Sequence, residues 1–381
     1  MTTLTPTQQK YKDMARKLAN EQLSKDAARI DKEAAFPVAG LRAMAELGLC
    51  GMTVPKEYGG LDLDALSICL VTEELARGCP STAAVLMAYV IGIQPLVQFG
   101  TPAQKKAYLP DLAQAKRSIC FAVTEALTGS DIATIGTTAR RKGDGWVLNG
   151  TKCLIGNGAG ADLCVVAAKT DPDAGHKGVS VFIVETASAG YSVSAVYEKM
   201  GMRGTTTAEL TLKDVEVPAT AVIGEIGKGS RYLLQTLDLA RLTLGAEAIG
   251  LSQAALEESV AYAKQRVTFG KPISEHQGIQ FMLADMATSV HAARTMLHDA
   301  CRLHGRKEPF AVEASMVKLF ASEMAGRVTD AAVQIHGGWG VVDRPKVERL
   351  FRDSRYTRIW EGTSEIQRLV ISRGVLEQVV K

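Results

Sequence analysis

The chain has 381 residues, of which 46% are hydrophobic and 22% are charged, and its formal net charge is +3. This length predicts two or three domains, and the composition is typical of a soluble globular protein. Such a small net charge gives no reason to expect nucleic acid as a partner.

The cysteines and histidines indicate neither disulfides nor a metal site. Seven cysteines are scattered without a CxxC pair, which favours reduced thiols in the core. The six histidines contain no HExxH pattern. Because no apolar run approaches the length of a membrane span and no leader sequence is evident, we expect no membrane partner. The expected location is the cytoplasm, with a processed form in an organellar matrix as the alternative.

Residues 1–117 are predicted to form an N-terminal α-helical domain. Thr5-Pro6-Thr7-Gln8 is a capping box with proline at the first helical position, and Gly48 ends the second helix. Further helices are predicted at about 64–77 and 81–98, and Thr101 begins another.

Residues 118–222 are predicted to form a middle domain of antiparallel β-strands. Val147-Leu148-Asn149-Gly150 carries a hairpin signal, and 163–168 and 179–184 are apolar runs typical of buried strands.

Residues 223–381 are predicted to form a C-terminal four-helix bundle. Arg241–Gln265, His276–His304 and Val312–His336 each have apolar stripes on more than one face. Such helices usually form a bundle and often bury a face against a partner subunit. The predicted fold class is therefore α+β, with the β domain between two helical ones.

One acidic residue near the C-terminus has the surroundings of a catalytic base. Glu361 lies between Trp360 and Gly362, just before a helix that Ser364 is predicted to cap with Gln367 in a capping box. A carboxylate held beside an apolar ring loses water and becomes a better base near neutral pH. For this segment alone, a surface loop acid is the simpler interpretation.

Four further motifs precede Ile359–Gln367 in the chain. They are Thr124-Glu125-Ala126-Leu127-Thr128-Gly129-Ser130-Asp131, Asn149-Gly150-Thr151-Lys152, Arg266-Val267-Thr268-Phe269-Gly270-Lys271-Pro272 and Gln334-Ile335-His336-Gly337-Gly338-Trp339-Gly340. In this order, and over almost the whole chain, they resemble the acyl-CoA dehydrogenase family of FAD-dependent flavoenzymes. The resemblance implies the same three-domain order and a homotetramer or dimer built through the C-terminal bundles. It also implies α,β-dehydrogenation of an acyl-CoA thioester to the 2-enoyl-CoA, with electrons passed to an electron-transfer flavoprotein.

The resemblance also implies roles for individual residues. Glu361 matches the base that takes the α-proton, whereas Ala240, where some family members carry the base, cannot act as one. The residues that match cofactor-binding positions are Phe121, Val123, Thr124, Ser130, Leu154, Gly156, Arg266, Thr268, Phe269, Gln277, Gln334, Gly337, Gly338, Thr363 and Glu365. The residues assigned to substrate binding are Ser130, Asp238, Arg241, Trp360 and Gly362. A salt bridge between Asp238 and Arg241 accounts equally well for that pair, and His336 is expected to be structural.

One departure from the family pattern leaves the electron acceptor open. The family usually has Lys-x-Trp-Ile-Thr/Ser-Asn, and this chain has Lys152-Cys153-Leu154-Ile155-Gly156-Asn157. Leu154 lacks the ring, and Gly156 lacks the hydroxyl that would face the hydride-accepting nitrogen. A flavin-dependent monooxygenase or oxidase, or a dehydrogenase of acyl-carrier-protein thioesters, is therefore a second hypothesis. A third is a non-catalytic flavoprotein that serves as a binding or scaffold protein, against which the intact Glu361 argues.

The acyl group is less well defined by the sequence than the reaction. Candidate lining residues are Met87, Tyr89, Ile91, Gln94 and Trp360. They suggest a short, branched or cyclic acyl group.

Overall fold

The computed structural model describes residues 3–343 and 346–379. The N-terminal helices are α1 (Pro6–Leu18), α2 (Ser24–Glu33), α3 (Val38–Glu46), α4 (Ala65–Gly78), α5 (Pro80–Phe99) and α6 (Pro102–Ala113). The middle strands are β1 (Ile119–Ala122), β2 (Thr138–Lys142), β3 (Gly145–Gly156), β4 (Leu163–Lys169), β5 (Val179–Glu185), β6 (Tyr191–Val196), β7 (Thr207–Val217) and β8 (Val222–Ile223). The last part contains α7 (Gly229–Gln265), the short strands β9 (Val267–Thr268) and β10 (Lys271–Pro272), α8 (Gln277–Gly305), α9 (Ala311–His336), α10 (Lys346–Ser354) and α11 (Ser364–Val379).

Local capping fixes the helix starts that the sequence predicts. The Thr5 hydroxyl accepts a hydrogen bond from the Gln8 N–H at 3.2 Å, and the Gln8 side chain accepts one from the Thr5 N–H at 2.9 Å. Thr101 and Gln104 repeat this arrangement at the start of α6. Gly48 follows α3 with φ 75°, a conformation that favours glycine. These predictions are confirmed.

The middle domain is one twisted sheet with strand order β6-β7-β3-β2-β4-β5-β8, and β1 pairs with β4. Most pairings are antiparallel, while β4 pairs in parallel with β1 and, at one position, with β2. The predicted fold class is confirmed, and the parallel pairs are an addition to it. Because β1 ends at Ala122, the following Val123 and Thr124 lie at the sheet end that faces the helices.

Helix α7 connects the two helical parts of the protein. It has 37 residues and begins at Gly229, not at Arg241 as the sequence pattern suggested. Leu233, Leu237 and Ala240 continue the helical spacing towards the N-terminus, so nothing interrupts the helix there. It packs against α4 and α5 on one side and against α8 and α9 on the other.

Helix α5 corrects the expectation about apolar runs. Its 20 residues are long enough to cross a membrane, and an 18-residue stretch of it has a mean hydropathy of 1.6, but 72% of that stretch is buried inside the protein. In the described part of the chain, α5 is therefore a helix of the protein core.

Candidate active site

A cavity of about 400 Å³ lies between α5, the ends of β1 and β3, α7 and the turn before α11. Its walls are largely apolar, with Met87, Ile91 and Leu237 among them. Glu361, Arg241 and Glu247 are the acidic and basic residues that line it. Such an apolar cleft with a few converging polar groups is the usual form of a binding site for a small molecule.

Glu361 lies on an unusually shaped turn. Its φ is 56° and that of Gly362 is 89°, so two successive residues adopt the left-handed conformation. This conformation costs a non-glycine residue about 1–2 kcal/mol. The N–H groups of Ile359 and Trp360 both donate to the Tyr356 carbonyl, at 2.9 and 3.3 Å. Surrounding contacts must hold the turn in this shape.

Two side chains hold the carbonyl groups of this turn. The buried Lys318 Nζ on α9 donates to the Gly362 oxygen at 2.6 Å, and Gln367 Nε2 on α11 donates to the same oxygen at 2.9 Å. Gln367 Nε2 also donates to the Glu361 oxygen at 3.3 Å. The Glu361 backbone is thus fixed from two helices.

The predicted capping box at Ser364 is wrong. Helix α11 already begins at Ser364, so the cap is Thr363, whose hydroxyl accepts from the Ile366 N–H at 3.3 Å. Among the residues that the structure describes, the buried Ser364 hydroxyl has no hydrogen-bond partner, and Gln367 binds the turn. Because the cap is Thr363 and not Ser364, Gln367 is no longer at the capping-box position, and its side chain binds the Gly362 carbonyl instead.

The surroundings of Glu361 bring the pKa of its carboxyl group close to neutral pH. Burial raises the pKa of Glu361 to about 7, although the positive charges of Lys318 and Arg241 lower it. Burial lowers the pKa of Lys318 to about 8. Arg241 Nη1 donates to Asp238 Oδ1 at 2.7 Å, which confirms the salt bridge. A carboxyl group with a pKa near 7 is suited to general-base catalysis at neutral pH.

A buried ion pair positions the opposite wall. Lys152 Nζ on β3 donates to Glu125 Oε1 at 2.7 Å and to the Val123 oxygen at 3.1 Å. The Cys153 N–H donates to the Thr124 oxygen at 2.9 Å. These bonds hold the segment after β1 against β3, so that Val123 and Thr124 line the cavity.

Most of the site residues predicted in β1 and the segment after it, in β3, in α7 and in the turn before α11 line the cavity. Those that line it are Phe121, Val123, Thr124, Ser130, Leu154, Gly156, Arg241, Trp360, Glu361, Gly362 and Thr363. Asp238 lies behind Arg241 and is not part of the lining. The expectation for Tyr89 and Gln94 is wrong, because neither lines the cavity. Tyr89 is buried in the core, where its hydroxyl lies within hydrogen-bond distance of the carbonyl oxygens of Leu112 and Arg117 and donates its one hydrogen between them.

The other predicted cofactor residues lie outside this cavity. Those that follow α7 or end α9 are Arg266, Thr268, Phe269, Gln277, Gln334, Gly337 and Gly338, and we call them the C-terminal patch. Phe269 is 96% exposed, and a Cβ atom added at Gly337 or Gly338 would meet no atom of the described residues within 4 Å. Tyr262 stacks on His336 at 4.3 Å and joins the ends of α7 and α9. His336 is buried in that stack, as expected for a structural residue. Glu365 is exposed on the first turn of α11.

Four polar residues that shape the site have no role predicted from the sequence, although two of them lie in the motifs. They are Lys318, Glu247 and the Lys152–Glu125 pair. Glu247 could have been found as the one acid in the apolar run 242–251. Lys318 could not, because nothing local distinguishes it from a surface lysine of α9.

The fold and the cavity define a three-domain enzyme architecture in which the carboxyl groups of Glu361 and Glu247 lie in a largely apolar cleft. Family models for the N-terminal, middle and C-terminal domains of acyl-CoA dehydrogenases match residues 5–116, 120–215 and 227–376. The chain belongs to the acyl-CoA dehydrogenase family.

Individual relatives extend over nearly the full chain. The acryloyl-CoA reductase (NADH) of Anaerotignum propionicum is 42% identical over 378 residues, which cover 99% of this chain and 96% of the relative. The solved butyryl-CoA dehydrogenase of Megasphaera elsdenii has a TM-score of 0.96 and 37% identity, covering 99% of this chain and 100% of that one. A structure reported with the electron transferring flavoprotein of Acidaminococcus fermentans has a TM-score of 0.97 and 40% identity, covering 99% of both chains.

Proposed function

We propose that this protein is an FAD-dependent acyl-CoA dehydrogenase that converts an acyl-CoA thioester to its 2-enoyl-CoA. The observation that carries the proposal is Glu361, whose carboxyl group lines an apolar cavity on a rigid turn and has a pKa of about 7. Membership of the family supports the reaction class. The intact base argues against a purely structural flavoprotein.

The residues of the cavity fit a flavin. Phe121, Val123 and Leu154 provide an apolar surface for a ring, and Thr124 provides a hydroxyl and backbone groups. A solved family member from Bacillus anthracis is complexed with FAD. The open glycines of the C-terminal patch allow close approach of a pyrophosphate, and Arg266 is suited to bind its charge.

The chain's own groups then act on the thioester. The Glu361 carboxylate accepts the α-proton, and the Glu361 N–H, which has no acceptor among the described residues, donates to the thioester oxygen. Arg241 and Trp360 hold the substrate at the cavity wall. Held by these residues, FAD would supply the acceptor for the hydride that leaves the β-carbon.

The proposed electron acceptor is an electron-transfer flavoprotein, and the proposed assembly is a homotetramer or dimer. Large apolar side chains exposed on the C-terminal part include Phe269, Phe281, Trp339, Val341 and Leu376. Exposed apolar surface of this kind marks contact sites. We propose a cytoplasmic location, which the bacterial relatives and the seven buried free cysteines support.

Anaerobic titration of the purified yellow protein with a panel of acyl-CoA thioesters tests the reaction. We expect at least one short-chain thioester to bleach the flavin absorbance of the wild type and to give the 2-enoyl product. Glu361→Gln should retain FAD and lose bleaching, while Glu377→Gln, an exposed acid on α11, should behave as the wild type. Full bleaching in Glu361→Gln would contradict the base assignment.

Admitting air after reduction tests the second hypothesis. Slow reoxidation that an electron-transfer flavoprotein accelerates would support a dehydrogenase. Rapid reoxidation with an oxygenated product would support the oxygen-using alternative, for which the missing hydroxyl at Gly156 is the motivation. Bleaching by an acyl-carrier-protein thioester but not by any acyl-CoA would identify a carrier-protein dehydrogenase.

A further inference from the structure

Glu247 is a carboxyl group inside the cavity for which the reaction gives no role. It lies on α7, lines the cavity and is 1% exposed. Its Oε1 atom is buried without a hydrogen-bond partner among the described residues. A buried carboxyl oxygen that lacks a partner costs free energy, so a ligand group that binds it is strongly favoured.

The position of Glu247 is the deep end of the cavity. Along α7 the lining residues run from Leu234, which is 48% exposed at the mouth, through Ala240 and Thr243, to Glu247. Glu247 is two helical turns beyond Ala240, about 10 Å along the axis. A thioester that enters at the mouth with its reacting carbons beside Glu361 therefore places the far end of its acyl group near Glu247.

Within the described part of the chain, the other walls at this depth offer no hydrogen-bond partner to Glu247 Oε1. Ala84, Met87 and Ile91 of α5 and Leu244 of α7 are apolar. The nearby acids Asp353 and Glu361 disfavour ionisation of Glu247, and burial raises its pKa well above the usual range. Arg241 is engaged with Asp238. With these neighbours Glu247 is thus protonated and neutral. A positively charged ligand group beside it would favour the ionised carboxylate.

We propose that the cavity selects a short acyl group whose far end carries a hydrogen-bond donor, a hydroxyl or an ammonium group, which binds the Glu247 carboxyl. The inference rests on the proposed function and adds the substrate class. A plain alkyl chain of the same length leaves the Glu247 oxygen unpaired. An enzyme site built to bind a polar substrate group rejects the analogue that lacks it by large factors.

The test compares thioesters of equal length in stopped-flow reduction of the bound flavin. They are 4-hydroxybutyryl-CoA, 4-aminobutyryl-CoA and pentanoyl-CoA, whose terminal groups are a hydroxyl, an ammonium and a methyl. We expect the wild type to prefer one of the two donors over pentanoyl-CoA by at least about 100-fold in kcat/KM. Glu247→Leu should reverse this preference while retaining FAD.

Glu247→Gln keeps the shape and distinguishes the two donors. It should retain activity on the hydroxyl substrate and lose the ammonium substrate, because the amide binds a hydroxyl but cannot balance a charge. If Glu247→Leu does not fold, Glu247→Ala takes its place, since it also removes the carboxyl group and should lose the preference over pentanoyl-CoA.

Three outcomes would overturn the inference. One is equal kcat/KM for all three thioesters in the wild type. The second is a preference over pentanoyl-CoA that is unchanged in the variant without the polar head, Glu247→Leu or Glu247→Ala. The third is loss of flavin reduction with every thioester in Glu247→Gln while FAD stays bound, which would place Glu247 in the chemistry. Failure of every acyl-CoA to reduce the wild-type flavin would instead refute the proposed function itself.

Discussion

Lys318 Nζ lies 2.6 Å from the carbonyl oxygen of Gly362, the residue that follows Glu361. One buried lysine thereby fixes the left-handed turn and places a positive charge near the carboxyl group of Glu361. The raised pKa of Glu361 is the net result of burial, which favours the neutral acid, and of this charge, which favours the carboxylate.

Replacing Lys318 by methionine should move the pH dependence of flavin reduction to higher pH. Without the lysine charge, the pKa of Glu361 rises further, so the base ionises later. The measurement is kcat/KM as a function of pH. Lys346→Met is the matched control, because Lys346 also donates to a backbone carbonyl, that of Arg77, and does not line the cavity. An unchanged profile in Lys318→Met would contradict the electrostatic role.

In the wild type, kcat/KM for flavin reduction should rise with pH, reach half its maximum near pH 7 and level off above that pH. A carboxyl whose pKa is raised to about 7 is protonated below that pH and cannot accept a proton. Below the midpoint, the rate should fall about tenfold per pH unit, as for a single required base. A profile that is flat from pH 5 to 8 would mean that the ionisation of Glu361 does not control the reaction.

Lys152→Met should destabilise the protein by about 3–5 kcal/mol, because it leaves the Glu125 carboxylate without its buried partner. It should also weaken FAD binding, since Val123 and Thr124 lose their anchor on β3. Chemical denaturation and flavin release measure the two effects. The control is Lys142→Met, which removes an exposed pair with Glu216 and should leave both properties unchanged.

Gly156→Ser should fold and bind FAD normally. Of the atoms in the described residues, a Cβ atom at Gly156 would meet the Ala88 Cβ alone, at an ordinary 3.5 Å. By contrast, a Cβ at Gly250 would lie 2.1 Å from the Glu73 carbonyl oxygen, so Gly250→Ser should cost about 1–3 kcal/mol or more. Thermal unfolding with and without FAD compares the two variants. Equal stability of both would show that the packing between α4 and α7 is looser than described.

The fold was predictable because its signals are local. Capping residues such as Thr5 and Thr101 define helix starts, and the uninterrupted apolar runs define the strands β4 and β5. Family resemblance added the function and the candidate base. The exact start of α11 was not predictable, since Thr363 and Ser364 are both good caps and tertiary packing decides between them.

The polar support of the site could not be read from the sequence. Lys318 and Gly362 are 44 residues apart, and their contact depends on how α9 packs against α11. The position of Glu247 also depends on tertiary packing. Its carboxyl group lines the cavity because the face of α7 that carries it packs towards α5. Periodicity predicts that a face is buried, but not what the face meets.

Removal of the α-proton by Glu361 is most directly tested by hydrogen exchange. Wild-type protein with bound FAD is incubated anaerobically in D₂O with a short acyl-CoA that bleaches its flavin, and deuterium at the α-carbon is measured by mass spectrometry. We predict incorporation by the wild type and a rate at least about 100-fold lower in Glu361→Gln with FAD still bound. Incorporation at the wild-type rate in that variant would contradict the assignment of Glu361 as the base.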